Sequence, residues 1–129
     1  MEIGVLGLFV NDLETMVEFY RDIIGFKTDW KRGESAASFE AGGYWLVLYG
    51  RKDFEKRTAQ QYTYPEGING TMVIGINLKT YDDVDKEYKR LLDLGVKSIV
   101  EPATNEFGQR TSYVADPDGN LLELGSFGE

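Results

Sequence analysis

The chain has 129 residues, 42% of them hydrophobic, a size that allows one domain or two small halves sharing a core. It carries 22 acidic against 14 basic side chains, a formal charge of −8, which excludes nucleic acid as an expected partner because phosphate neutralisation needs Lys and Arg. There is no His and no Cys, so Ser-His-Asp and Cys-His nucleophiles, HExxH zinc sites, thiolate chemistry and disulfides are excluded.

The N-terminus, MEIGVLGLFVND, lacks the basic start and cleavage site of a signal peptide. No apolar run nears the roughly 20 residues of a membrane span. A cytoplasmic protein with no membrane partner is expected. Ile3 to Val10 reads as a strand, with Leu6, Leu8 and Val10 on one face and Val5, Gly7 and Phe9 on the other. Asn11-Asp12 offers a helix N-cap. Leu13, Met16, Val17, Tyr20, Ile23 and Ile24 follow at helical spacing, and Gly25 is placed to stop the helix. Phe26 to Trp30, Ala36 to Glu40 and Tyr44 to Tyr49 are the next strand candidates. Arg51 to Gly70 reads as an irregular linker or lid of mixed charge, with Asn69-Gly70 as a turn.

The pattern then repeats. Met72 to Leu78 alternates as a strand, with Val73, Gly75 and Asn77 sharing a face. Asp82-Asp83 caps a helix carrying Val84, Tyr88, Leu91 and Leu92, and Gly95 ends it. The exits match, Gly25-Phe26-Lys27-Thr28 against Gly95-Val96-Lys97-Ser98, and so do Gly43 to Leu48 against Gly119 to Leu124. Each half reads strand, helix, strand, strand, strand, which makes internal duplication the main architectural inference. The expected fold is α+β: two tandem βαβββ modules forming a curved barrel-like sheet around a cleft, helices outside. Module 1 covers about 1–52, the connector about 53–70 and module 2 about 71–129. Near the end, Asp116-Pro117-Asp118-Gly119 has turn composition, and the strand after it carries one carboxylate, Glu123, on the face opposite Leu122 and Leu124.

A strand, then Asn-Asp-Leu-Glu opening a helix that ends FYRDIIGF, then a second copy closing in YVADPDGNLLEL, resembles the vicinal oxygen chelate superfamily. That group includes glyoxalase I, extradiol dioxygenases, fosfomycin resistance enzymes and bleomycin resistance proteins. The resemblance spans Ile3 to Phe127 and implies paired βαβββ modules around a cavity, in a homodimer. It also implies four inward metal-ligand positions, usually His, Glu, His and Glu, which fall here at Val5, Val47, Val73 and Glu123. Three valines and one carboxylate do not make the roughly three-ligand set a divalent ion takes from a protein. The character is closest to the metal-free, bleomycin-resistance-type members.

The resulting expectation is a metal-independent small-molecule-binding protein with no cofactor, sequestering a cationic or aromatic ligand such as an antibiotic. The candidate ligand-binding residues are Glu123, Trp45, Tyr49, Phe9, Asn77, Phe107, Gln109, Tyr64 and Trp30. Trp45 and Tyr49 share the face of Val47. Phe107 and Gln109 precede the last hairpin, and Tyr62 and Tyr64 lie in the connector. Arg110 suits an anion or, more ordinarily, a pairing with an acid. Two alternatives stand beside this reading. One is a glyoxalase-like lyase or isomerase, or a dioxygenase-related enzyme, using Glu123 as a base. The other is a non-catalytic interaction module.

Overall fold

The computed structural model describes residues 1–128. The chain forms two compact units, Met1–Tyr64 and the segment from Pro65 onward. Each holds one open four-stranded sheet backed by a helix.

In the first unit, strand β1 (Leu6–Val10) runs parallel to β4 (Tyr44–Gly50), which pairs antiparallel with β3 (Ala36–Ala41), and β3 with the two-residue β2 (Lys27–Thr28). The sheet order is β1-β4-β3-β2. One face carries Leu8, Val10, Ala37, Phe39, Leu46 and Leu48, all buried, and helix α1 (Leu13–Glu18) with its π-helical continuation (Phe19–Ile24) covers it with Met16, Val17, Phe19 and Tyr20. Asp12 caps the helix, its side chain accepting from Thr15 N. Gly25, at φ 94°, ends it in a conformation that costs a residue with a Cβ, and both Gly25 N and Phe26 N donate to Tyr20 O.

The second unit repeats the plan. Strand β5 (Val73–Asn77) is parallel to β8 (Leu121–Ser126), followed outward by β7 (Arg110–Ala115) and β6 (Lys97–Thr104). Helix α3 (Tyr81–Asp93) buries Val84 and Leu91 against this sheet. The two parallel ladders share one register: Gly7 lies opposite Val47 in the first, and Gly75 opposite Glu123 in the second. The duplication expected from the sequence is therefore present down to residue pairing. Pro102, which cannot donate a hydrogen bond, sits on the edge strand β6, beside its register shifts.

Several local expectations are corrected. The first strand starts at Leu6, so Val5 lies outside the ladder. The strand expected over Phe26 to Trp30 shrinks to Lys27–Thr28, because the chain folds back on itself: Trp30 N donates to Thr28 Oγ1 and Lys31 N to Glu34 Oε1. Helix α3 is capped by Thr80 instead of Asp82-Asp83. Thr80 Oγ1 accepts from Asp83 N while Asp83 Oδ2 accepts from Thr80 N, a reciprocal capping box. The bend of the connector falls at Gly67-Ile68, and Asn69 instead uses its side-chain oxygen to accept from Thr71 N.

The largest correction is in the segment read as irregular. Arg51–Thr58 is helix α2. Asp53 stands in its first turn and Lys56 and Arg57 in its last, the arrangement the helix dipole favours. The chain after it folds back onto it. Glu55 Oε2 accepts from Tyr62 N at 3.0 Å and from Tyr64 Oη at 2.9 Å, and Tyr62 Oη donates to Thr58 Oγ1 at 2.8 Å. Short helices gain most of their stability from such contacts and little from propensity alone.

Candidate functional site

Glu123 sits in the middle of β8, between Gly75 on one side and Tyr113 on the other. Tyr113 donates its phenolic hydrogen to Glu123 Oε2. The floor around the second oxygen is made of glycine: a Cβ at Gly75 would lie 3.8 Å from Oε1, and one at Gly125 would lie 3.5 Å from it. The same Cβ at Gly125 would come within 2.9 Å of Gln109 Nε2. The missing side chains at Gly75 and Gly125 thus leave room in which a carboxylate oxygen and a carboxamide lie over the sheet. Asn77, exposed and paired with Gly125 in the ladder, completes the row.

The hydrogen bond to Glu123, followed by burial, holds the Tyr113 phenol above its ordinary pKa. At neutral pH the phenol keeps its proton and donates it to Glu123 Oε2. Tyr113 is one residue that sequence reasoning missed. Its signal was available only in register: it stands three residues before Asp116, as Glu123 stands four after Gly119, which the hairpin places opposite one another.

In the first unit the candidates divide into two groups. Phe9 and Tyr49 join Phe54 and Tyr62 in an aromatic cluster, with ring centroids 4.7 Å apart for Phe9–Phe54 and 5.5 Å for Tyr49–Phe54. The Tyr49 ring lies over Gly7, where a Cβ would be 2.8 Å from Cε2. Tyr64 lies with Arg51 over its ring at 4.6 Å and is bonded to Glu55. Burial, then the bond to Glu55, raises its pKa. Phe54, absent from the sequence-level candidates, is central to this cluster because α2 was not foreseen.

Trp45 is separate, although it shares a strand face with Tyr49. It is 50% exposed and, with Trp30, lines a groove of about 420 Å³ at the β2–β3 side of the sheet. Phe107 is exposed in the turn between β6 and β7. Arg110 is paired to an acid, its Nε 2.7 Å from Asp85 Oδ1.

The metal positions implied by the resemblance do not form a donor set. Val5 and Val73 are half-exposed, Val47 is buried at 7%, and Glu123 already accepts from Tyr113. Among the described residues no three His, Cys, Asp or Glu side chains gather where an ion could be held. Isopropyl groups offer no lone pair, so these residues do not fit a divalent metal.

The family model described as Glyoxalase/Bleomycin resistance protein/Dioxygenase superfamily matches residues 2–124. The chain belongs to that superfamily. Among its relatives, the uncharacterized protein YraH of Bacillus subtilis (strain 168) is 31% identical, covering 96% of this chain and 97% of that one. The metallothiol transferase FosB of Lysinibacillus sphaericus (strain C3-41) is 32% identical, covering 89% of this chain and 74% of that one. A glyoxalase/bleomycin resistance protein/dioxygenase family enzyme from Burkholderia phytofirmans PsJN superimposes with a TM-score of 0.84 over 98% of this chain and 99% of that one. At 18% identity it bears on the fold alone. Superfamily membership and the α+β architecture of two βαβββ modules agree with the resemblance drawn from FYRDIIGF and YVADPDGNLLEL. Among the described residues no helix is long and apolar enough to cross a membrane.

Proposed function

We propose that this member of the superfamily binds a small molecule without a metal, taking a cationic or aromatic ligand such as an antibiotic and sequestering it as a cytoplasmic homodimer. The observation that carries the reading is the occupancy of the family's metal positions by Val5, Val47 and Val73, with Glu123 engaged by Tyr113. Those four positions offer too few donors for chemistry in which a bound ion stabilises an oxyanion, which supports the metal-free reading. The net charge of −8 and the exposed indole of Trp45 support attraction and stacking of a cation.

A second reading, an enzyme, is favoured by the name metallothiol transferase carried by a relative that is 32% identical. On that reading the Glu123–Tyr113 pair is the proton-handling group.

One experiment separates them: the melting temperature of EDTA-treated protein, alone and with Ni²⁺, Zn²⁺, Mn²⁺ and Fe²⁺. A ligand at 100 times its Kd adds about 2.7 kcal/mol, a shift of several degrees for a chain of this size. No ion is expected to shift the midpoint. A saturable rise with one ion, together with ion-dependent thiol consumption in the presence of fosfomycin, overturns the metal-free reading in favour of the enzyme.

A further inference from the structure

Of the asparagines Asn11, Asn69, Asn77, Asn105 and Asn120, Asn69 alone precedes a glycine. A glycine nitrogen is the least hindered main-chain nucleophile, because no Cβ stands beside it. Gly70 is exposed, and nothing lies within 4 Å of where its Cβ would be. Its N–H makes no hydrogen bond among the described residues.

The side-chain amide beside this nitrogen is held, and each of its bonds favours one reaction. Thr71 N donates to Asn69 Oδ1 at 3.1 Å. The ring closed by that bond runs through Gly70, so the amide is turned toward the Gly70 side of the chain. The same bond sets a main-chain N–H on the oxygen that gains negative charge when the amide carbon is attacked, as in an oxyanion hole. Asn69 Nδ2 donates to Gly67 O at 3.1 Å and to Gly119 O at 3.4 Å. Those two carbonyls favour the positive charge that the departing nitrogen gains on protonation.

We propose that Asn69-Gly70 is a self-modifying site, at which the folded chain itself converts the Asn69 amide to a carboxylate. Gly70 N bonds to Asn69 Cγ and loses its proton, the Cγ–Nδ2 bond breaks, and Nδ2 leaves as ammonia with that proton. The product is a succinimide. One water opens it, its hydroxyl going to a carbonyl carbon and its hydrogen to the ring nitrogen. Opening at Cγ gives aspartate; opening at the main-chain carbonyl gives isoaspartate, in which the backbone runs through the side chain. No oxidant, reductant or second protein is needed.

Either product loses the Nδ2 donors and sets a carboxylate against the Gly67 and Gly119 carbonyl oxygens, which repel it. Asn69 N also donates to Gly119 O at 3.0 Å. The tie that weakens is therefore the one holding this segment to the turn from Asp116 to Gly119, out of which β8 and Glu123 run. All of these residues belong to the second unit. The reactivity does not depend on what the protein binds.

The test is incubation of the full chain in mildly alkaline buffer, native and in urea above its unfolding midpoint, with peptide mapping by mass spectrometry at each asparagine. Conversion at Asn69 is expected to run at least as fast in the native protein as in the unfolded chain, while the other asparagines keep their amides in the native protein. Retention of the Asn69 amide in the native protein, or slower conversion there than in urea, overturns the proposal, because the bonds to Thr71, Gly67 and Gly119 then protect the amide. Gly70→Ala, whose methyl meets open space, is expected to fold as before and to convert several-fold more slowly; an unchanged rate overturns the role of Gly70. Asn69→Asp, the product made directly, is expected to lower the urea midpoint at constant slope. An unchanged midpoint overturns the weakening of the turn.

Discussion

Tyr113 and Glu123 face one another across the β7–β8 ladder, and the phenol donates its hydrogen to the carboxylate. This raises the tyrosine's pKa above its ordinary value of about 10. Above that value the unfolded chain releases the proton while the folded chain still holds it. The contribution of the pair is therefore present at neutral pH and lost as pH rises through the folded pKa. Tyr113→Phe is expected to lower stability by about 0.5–1 kcal/mol at neutral pH, the only partly buried setting screening a bond to a charged acceptor. It is also expected to flatten the alkaline fall in stability. Urea denaturation from pH 8 to 11 measures both, and a variant with an unchanged alkaline slope would remove the pair from the account.

Asp116 holds the turn before β8. It is 4% exposed; its Oδ1 accepts from Asp118 N and Asn120 N, both at 2.9 Å, and its Oδ2 accepts from Asn120 Nδ2 at 2.9 Å. Asp116→Ala leaves those donors without their acceptor in a buried place. A loss of about 2–4 kcal/mol is expected in equilibrium unfolding, with Asp116→Asn recovering part of it.

Gly119 closes the same turn at φ 86°, and its missing side chain admits the Gly67 carbonyl: a Cβ there would lie 2.1 Å from that oxygen. Asn69 N donates to Gly119 O at 3.0 Å, tying the two segments together. Gly119→Ala combines a left-handed backbone with a clash against main chain, which cannot swing aside. A loss of about 2 kcal/mol or more is expected, visible as a lowered urea midpoint at constant slope. Gly70→Ala, with open space around it, is the contrast and is expected to change little.

Thr80→Ala removes the N-cap of α3 and with it the reciprocal bond to Asp83. About 1 kcal/mol of stability is expected to go, with Thr80→Ser keeping most of it. A melting curve of the three proteins side by side reads the difference.

The sequence by itself determined the repeated βαβββ plan and the absence of imidazole and thiolate ligands. Both are local properties. Strand alternation at Leu6–Val10 and Val73–Asn77, the helical spacing from Leu13 and from Val84, and the absence of His and Cys require no knowledge of what touches what. Sequence also supplied the identity of Glu123 as the lone carboxylate of its strand face. Only the tertiary structure decided its surroundings, because Tyr113, Gln109 and the glycine floor meet it through ladder register and not through proximity in the chain. For the same reason Trp45 and Tyr49, neighbours on one strand face, part company: Tyr49 is claimed by Phe9 and Phe54, while Trp45 opens onto a groove with Trp30. Helix α2 escaped a sequence reading because its composition is weakly amphipathic and its stabilising partners, Tyr62 and Tyr64, reach it only once the chain has turned back.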